Sequence, residues 1–156
     1  MSRSAAPLFR STGQPGFSAR ILALPGRVRA RKRAREVRAE FATAATEVRT
    51  PEGAVHAERG DAILTGSLGE RWCVPRARFD EKYQPVPPTL MGKAGAYLSL
   101  PIEIIAVPMH ESFDVALADG VSHLHGHAGD WLVDYGDGSL GVVARRIFAT
   151  TYEIIG

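Results

Sequence analysis

The sequence predicts an α+β, mostly β fold made of two related strand-rich halves. Three observations carry this. Sixteen Gly and ten Pro among 156 residues favour short elements joined by turns over a helix bundle. Laying residues 60–86 over 129–155, at a constant offset of 69, gives seven identities in 27 positions where ordinary composition gives roughly two. Each matched stretch also reads as a hairpin followed by a helical turn. Two half-cores of this size need each other to hide apolar surface, and closure into a pseudo-twofold roll or barrel is one way to do so.

Residues 1–26 mix Ser, Ala, Gly and Pro with scattered Arg, show no sustained periodicity, and read as a disordered tail. A transit peptide or a later translation start would leave the same composition. Residues 27–35, Arg27-Val28-Arg29-Ala30-Arg31-Lys32-Arg33-Ala34-Arg35, form a basic segment. The net charge of +2 hides this asymmetry: residues 1–49 hold 11 Lys/Arg against 3 Asp/Glu, and the rest 8 against 14.

The first half is expected over 33–86. Glu36-Val37-Arg38-Ala39 resembles Glu103-Ile104-Ile105-Ala106 at an offset of 67. Gly60-Asp61 leads into a strand, where a carboxylate can accept backbone N–H groups and fix the turn. Gly66 to Gly69 is the hairpin turn, and Val74-x-Arg76-x-x-Phe79 runs on to Tyr83. Pro87, Pro88, Gly92 and Gly95 mark residues 87–96 as a linker.

The second half, 97–156, repeats the scheme. Asp130 to Asp134 is a strand, Tyr135-Gly136-Asp137-Gly138 the turn and Ser139 to Ala144 the return strand. Gly69 and Gly138 are expected to supply positive φ. Phe79/Tyr83 and Phe148/Tyr152 lie four apart, on one face of a helical turn, and are expected to cap each hairpin. Gly60, Asp61, Gly129 and Asp130 complete the structural motif.

Gly129-Asp130-Trp131-Leu132-Val133-Asp134-Tyr135-Gly136 resembles the PGDYG family of bacterial and phage proteins. Gly60-Asp61-Ala62-Ile63-Leu64-Thr65-Gly66, leading to Trp72 and on through Phe79 and Tyr83, looks like the same signature. The motif proline is Ala128 in one copy and Arg59 in the other, and the first copy lacks the Tyr-Gly pair. The resemblance implies a bacterial, non-secreted protein and brings no reaction with it.

Three chemistries are weighed. The first is a non-catalytic module binding a small molecule or protein in a crevice near Glu70, Arg71, Trp72, Trp131 and Tyr135. The second is an accessory protein that meets nucleic acid phosphates through 27–35, although no aromatic residue interleaves that run. The third is a small metal enzyme using His123, His125 and His127. Alternate strand residues stand about 6.5–7 Å apart, too wide for one zinc unless the strand bends. No P-loop, Gly-x-Ser-x-Gly or His-Glu-x-x-His occurs, no cofactor is implied, and the balance leans against an enzyme. Cys73, the single cysteine, aligns with Val142 and reads as a small filler; one cysteine forms no internal disulfide and fits a cytoplasmic setting. Apolar runs are far shorter than the ~20 residues of a membrane helix.

Overall fold

A computed structural model describes residues 6–156; Met1–Ala5, the start of the expected tail, lie outside the described residues. The elements are, in chain order, β1 (Leu8–Arg10), α1 (Ala19–Leu22), β2 (Val28–Lys32), β3 (Glu36–Phe41), β4 (Thr46–Thr50), β5 (Gly53–Ala57), β6 (Ala62–Thr65) and β7 (Arg71–Val74). There follow α2 (Arg76–Lys82), β8 (Tyr83–Pro85), β9 (Gly95–Ser99), β10 (Glu103–Pro108), β11 (Phe113–Ala116) and β12 (His123–Gly126). The chain closes with β13 (Trp131–Asp134), β14 (Leu140–Val143), α3 (Arg145–Thr151) and β15 (Tyr152–Ile154). The fold is α+β and mostly β, with open sheets, none of which closes into a barrel.

The described chain divides into two compact units, one of residues up to Arg31 together with Glu103–Gly156, the other Lys32–Ile102. The contiguous unit holds a sheet ordered β7-β6-β3-β9-β8. Its central strand alternates, with Val37 and Ala39 buried and Glu36, Arg38 and Glu40 exposed, as a strand with one dry face must. On the dry face Val37, Ala39, Ala62, Leu64, Phe79, Tyr83 and Tyr97 form the core. Phe79, on α2, stacks on Tyr83 at 4.9 Å and meets Tyr97 edge-on at 4.9 Å. The Tyr97 hydroxyl donates to Lys93 O at 2.7 Å and accepts from Gly92 N at 3.0 Å, which pins the Pro/Gly-rich stretch to the sheet. On the wet face Arg71 pairs with Glu40 at 2.8 Å. The β4–β5 hairpin forms a separate two-stranded sheet in this unit.

The split unit holds a sheet ordered β14-β13-β10-β2-β15. Its pairings run parallel to those of the contiguous unit, residue for residue. Ala62 pairs with Val74 and Trp131 with Val143; Arg38 pairs with Thr65 and Ile105 with Asp134. Glu36 pairs with Leu98 and Glu103 with Arg31. Every partner differs by 67 or 69, the same offsets that align the sequence. The first strand of each series is placed unexpectedly. β2 precedes β3 in the chain but hydrogen-bonds β10, while β9 precedes β10 but hydrogen-bonds β3 and β8. On α3, Phe148 stacks on Tyr152 at 5.0 Å and on Trp131 at 4.0 Å.

The other face of this sheet is apolar, and a three-stranded layer β1-β11-β12 belongs to the core formed there. Here the structure corrects the expectation of a disordered tail. β1 pairs in parallel with β11, Phe9 is 2% exposed and meets Phe113 edge-on, and Ile21 of α1 is buried in the same core. Arg20 covers the Phe9 ring and donates to the Leu8 carbonyl. The physical reason is that this order is tertiary. Three strand residues and one turn of helix have no periodicity to display and are held by the surface they cover.

Candidate functional site

The Gly-Asp pairs are braces. Asp61 Oδ2 accepts the Glu58 amide at 2.9 Å, and Asp130 Oδ2 accepts the His127 amide at 2.9 Å. The preceding glycines take φ of +90° at Gly60 and +97° at Gly129, a region closed to most side chains. Gly69 and Gly138 are likewise at +77° and +92°.

The five residues expected to bind are divided between the units. Glu70 turns back onto its own hairpin, accepting the Leu68 amide at 3.3 Å, and Arg71 is occupied by Glu40. Trp72 is half-buried against the core of the contiguous unit. Trp131 lies flat on Phe148 in the split unit. Tyr135, in the same unit, lines an open recess of about 470 Å³ whose other walls include Gly16, Phe17, Arg29, Glu103 and Gly136.

That recess is organised by a buried carboxylate. Asp134, the last residue of β13, is 1% exposed; Oδ2 accepts the Ser18 amide at 2.7 Å and Oδ1 the Gly136 amide at 3.0 Å. One side chain thus joins the segment before α1 to the β13–β14 turn, and Gly16 N donates to Gly136 O at 2.8 Å beside it. Both oxygens of this buried carboxyl group are thereby hydrogen-bonded. Gly136, at φ +77°, would place a Cβ 3.0 Å from the Phe17 ring, and a Cβ on Gly141 would meet the Tyr135 hydroxyl at 2.9 Å. These glycines let the two aromatic rings close on the turn. At the rim, Arg29 and Glu103 pair at 2.8 Å. Phe17, Glu103 and Asp134 were not singled out as binding residues from sequence, and Arg29 only as part of the basic segment 27–35. Asp134 aligns with Thr65, and no local pattern ties residues 16–18 to residue 134.

The His125 and His127 rings meet edge-on at 4.9 Å, while His123 is exposed at the start of β12. His125 Nδ1 lies 2.7 Å from Asp114, its neighbour on β11, and His127 Nδ1 lies 3.7 Å from Asp130. Among the described residues no three His, Cys, Asp or Glu side chains are placed to hold one metal ion. The contiguous unit carries an aligned histidine, His56, opposite Glu47 on β4 and paired to Glu58 at 2.7 Å. Extending the offset of 69 four residues upstream from Gly60 would have revealed this His56/His125 identity. In the basic segment, β2 alternates: Ala30 is buried, while Arg29 and Arg31 are exposed. Burial, aided by the negative charge of Asp61, pushes the Cys73 thiol up to about 12, so it is protonated and unreactive at neutral pH. No helix among the described residues is long and apolar enough to cross a membrane.

Neither a curated protein nor a solved structure matches the chain. The family model described as PGDYG protein matches residues 53–153, which takes in β5 to α3 and the start of β15, both Gly-Asp braces and the turn after Asp134. With well over half its length matched in this way, the chain belongs to the PGDYG family.

Proposed function

We propose that this protein is a non-catalytic binding module built from two copies of one segment, with a ligand site in the split unit at Tyr135. The duplication is supported by the matched pairings at offsets 67 and 69 in the two sheets. The observation that carries the binding reading is the Asp134 clamp. A buried carboxylate is retained at 1% exposure to hold two chain segments as the walls of a recess, where an apolar residue would pack more cheaply. Two aromatic rings and an exposed Arg29–Glu103 pair suit a small planar ligand that carries a polar group.

The test is an amide-resonance titration of the labelled full chain with planar aromatic acids and amides. Shifts should gather at Gly16, Phe17, Tyr135 and Gly136 and vanish in Tyr135→Ala. Shifts scattered over both sheets, or none at millimolar probe, overturn the reading.

A second reading rests on β2, whose exposed Arg29 and Arg31 follow Arg27 on one face of the strand. Arg29 is engaged by Glu103, which leaves Arg27, Arg31 and Arg33 to meet phosphates. Changing those three to Gln should abolish any salt-sensitive binding of mixed-sequence DNA, and unchanged affinity at low salt removes this reading.

A further inference from the structure

Of the strand edges of the contiguous unit, that of β4 has a filled counterpart in the split unit. β4 pairs only with β5, and the pairing determines which backbone groups are used. Thr50 faces Gly53 across the two-residue turn Pro51-Glu52, so this pair must exchange its amide and carbonyl bonds. By alternation Val48/Val55 and Thr46/Ala57 belong to the same class. The amides and carbonyls of Glu47 and Arg49 therefore point away from β5; β7 packs close to β4, but among the described residues no strand other than β5 is hydrogen-bonded to it.

The aligned edge of the split unit is filled. There Asp114, which corresponds to Glu47, donates its amide to Pro7 O at 2.8 Å, and Ala116, which corresponds to Arg49, accepts from Ser11 N at 2.9 Å. The same backbone positions that β1 satisfies on β11 are thus vacant on β4. The residues around the vacancy are unlike those of β11. Val48 is buried, whereas Glu47 and Arg49 are exposed and neither has an ion-pair partner among the described residues.

The strand reads Thr46-Glu47-Val48-Arg49-Thr50, which is chemically symmetric about Val48. Laid antiparallel against itself with Val48 facing the partner's Val48, it sets Glu47 opposite Arg49 of the partner subunit and Arg49 opposite Glu47 of the partner subunit. Thr46 then faces the partner's Thr50. In this register the residues whose backbone groups point outward are also the directly opposed ones, so four N–H···O=C bonds close together with two ion pairs. A shift of one residue in either strand would aim inward-pointing groups at the edge and lose the bonds.

We propose that this edge docks a second copy of the chain, through antiparallel β4–β4 pairing about a twofold axis at Val48. The contact is isologous and closes on itself, so it gives a dimer and no fibre. Five residues a side make a small interface, which places the dimer in the weak, transient class. Its formation should fall with salt, because both ion pairs are exposed.

The test is sedimentation of the full chain between about 10 µM and about 1 mM, a range that spans the affinities of transient pairs. A reversible monomer–dimer equilibrium is expected. Arg49→Glu and Glu47→Arg each set like charges opposite one another at both ion-pair positions, and each should weaken association about tenfold or more. The double swap Glu47→Arg/Arg49→Glu restores opposite charges in the same register and should recover the dimer. Both side chains face water, so an unchanged melting temperature certifies the fold of each variant. A chain that stays monomeric at the highest concentration overturns the proposal. So does a dimer indifferent to Arg49→Glu, or single variants that are not rescued by the swap.

Discussion

The two five-stranded sheets share strand order and register but differ in what lies on one of their faces. In the split unit the positions Ile105, Val107, Leu132, Leu140 and Val142 belong to one apolar core. Their aligned counterparts in the contiguous unit are Arg38, Glu40, Ile63, Arg71 and Cys73. In the split unit residues 6–26 add Phe9 and Ile21 to that core; in the contiguous unit Arg71 and Glu40 pair in water on the exposed part of the face, while Ile63 and Cys73 beside them are covered. Backbone pairing is thus insensitive to which side chains occupy that face. What the side chains decide is whether a further layer must be recruited, since roughly 25 cal/mol is at stake for each Å² of apolar surface left wet.

The largest effect should come from the feature the units share. Phe79→Ala and Phe148→Ala each remove a ring stacked on a tyrosine, and each should cost about 3–5 kcal/mol. Denaturant unfolding measures this, with hydrogen exchange rising first in the sheet that lost its ring. A variant of either kind with an unchanged midpoint would falsify the packing role.

A sharper contrast is expected at Asp134 and its counterpart Thr65. Asp134→Ala strands two amides in a buried site and should cost about 2–3 kcal/mol, whereas Thr65→Ala, half-exposed at a strand end, should stay within about 0.5 kcal/mol. Equal costs at the two positions would mean the clamp does not distinguish the units.

The turn glycines divide the units more gently. At Gly69 a Cβ would meet open space and bear only the positive-φ penalty of about 1–2 kcal/mol. At Gly138 the same penalty is joined by a clash with the Gln14 backbone, so Gly138→Ala should be the more destabilising by about a further 1 kcal/mol or more. Thermal melts of the paired variants read the difference directly.

The smallest expected effect is chemical. With its pKa at about 12 against 9.0 for a free thiol, Cys73 should be alkylated far more slowly in the native chain at pH 8 than after denaturation. The sign for stability follows from linkage. The unfolded thiol ionises first, so the native state loses stability as pH rises from about 9 to about 12, and Cys73→Ala should abolish that share. Val142, its counterpart, has nothing to titrate.

What the sequence made legible was local. Gly60-Asp61 and Gly129-Asp130 were readable as turns because a positive-φ glycine followed by an amide-accepting carboxylate needs only neighbouring residues. The Phe/Tyr pairs were readable because helical spacing brings them together wherever the helix lies. The reach of β2 to β10 and of β9 back to β3 was not legible, since alternation along a strand says nothing about which strand lies beside it. The recess failed for the same reason. Of its lining Tyr135 was singled out for this role and Arg29 only for another, because Asp134 acts on residues 116 positions away in the chain.

The crossing of β2 and β9 bears on how the protein emerges from the ribosome. Residues 32–102 can close their sheet as soon as β9 is made, whereas β2 is synthesised long before β10 and β15, the strands that flank it, exist. During that interval its backbone is bare. The arginines that crowd residues 27–35 keep the waiting strand hydrated and repel a neighbouring nascent chain, as charges do on natural sheet edges. On this view the basic run serves the newborn polypeptide as well as the finished one.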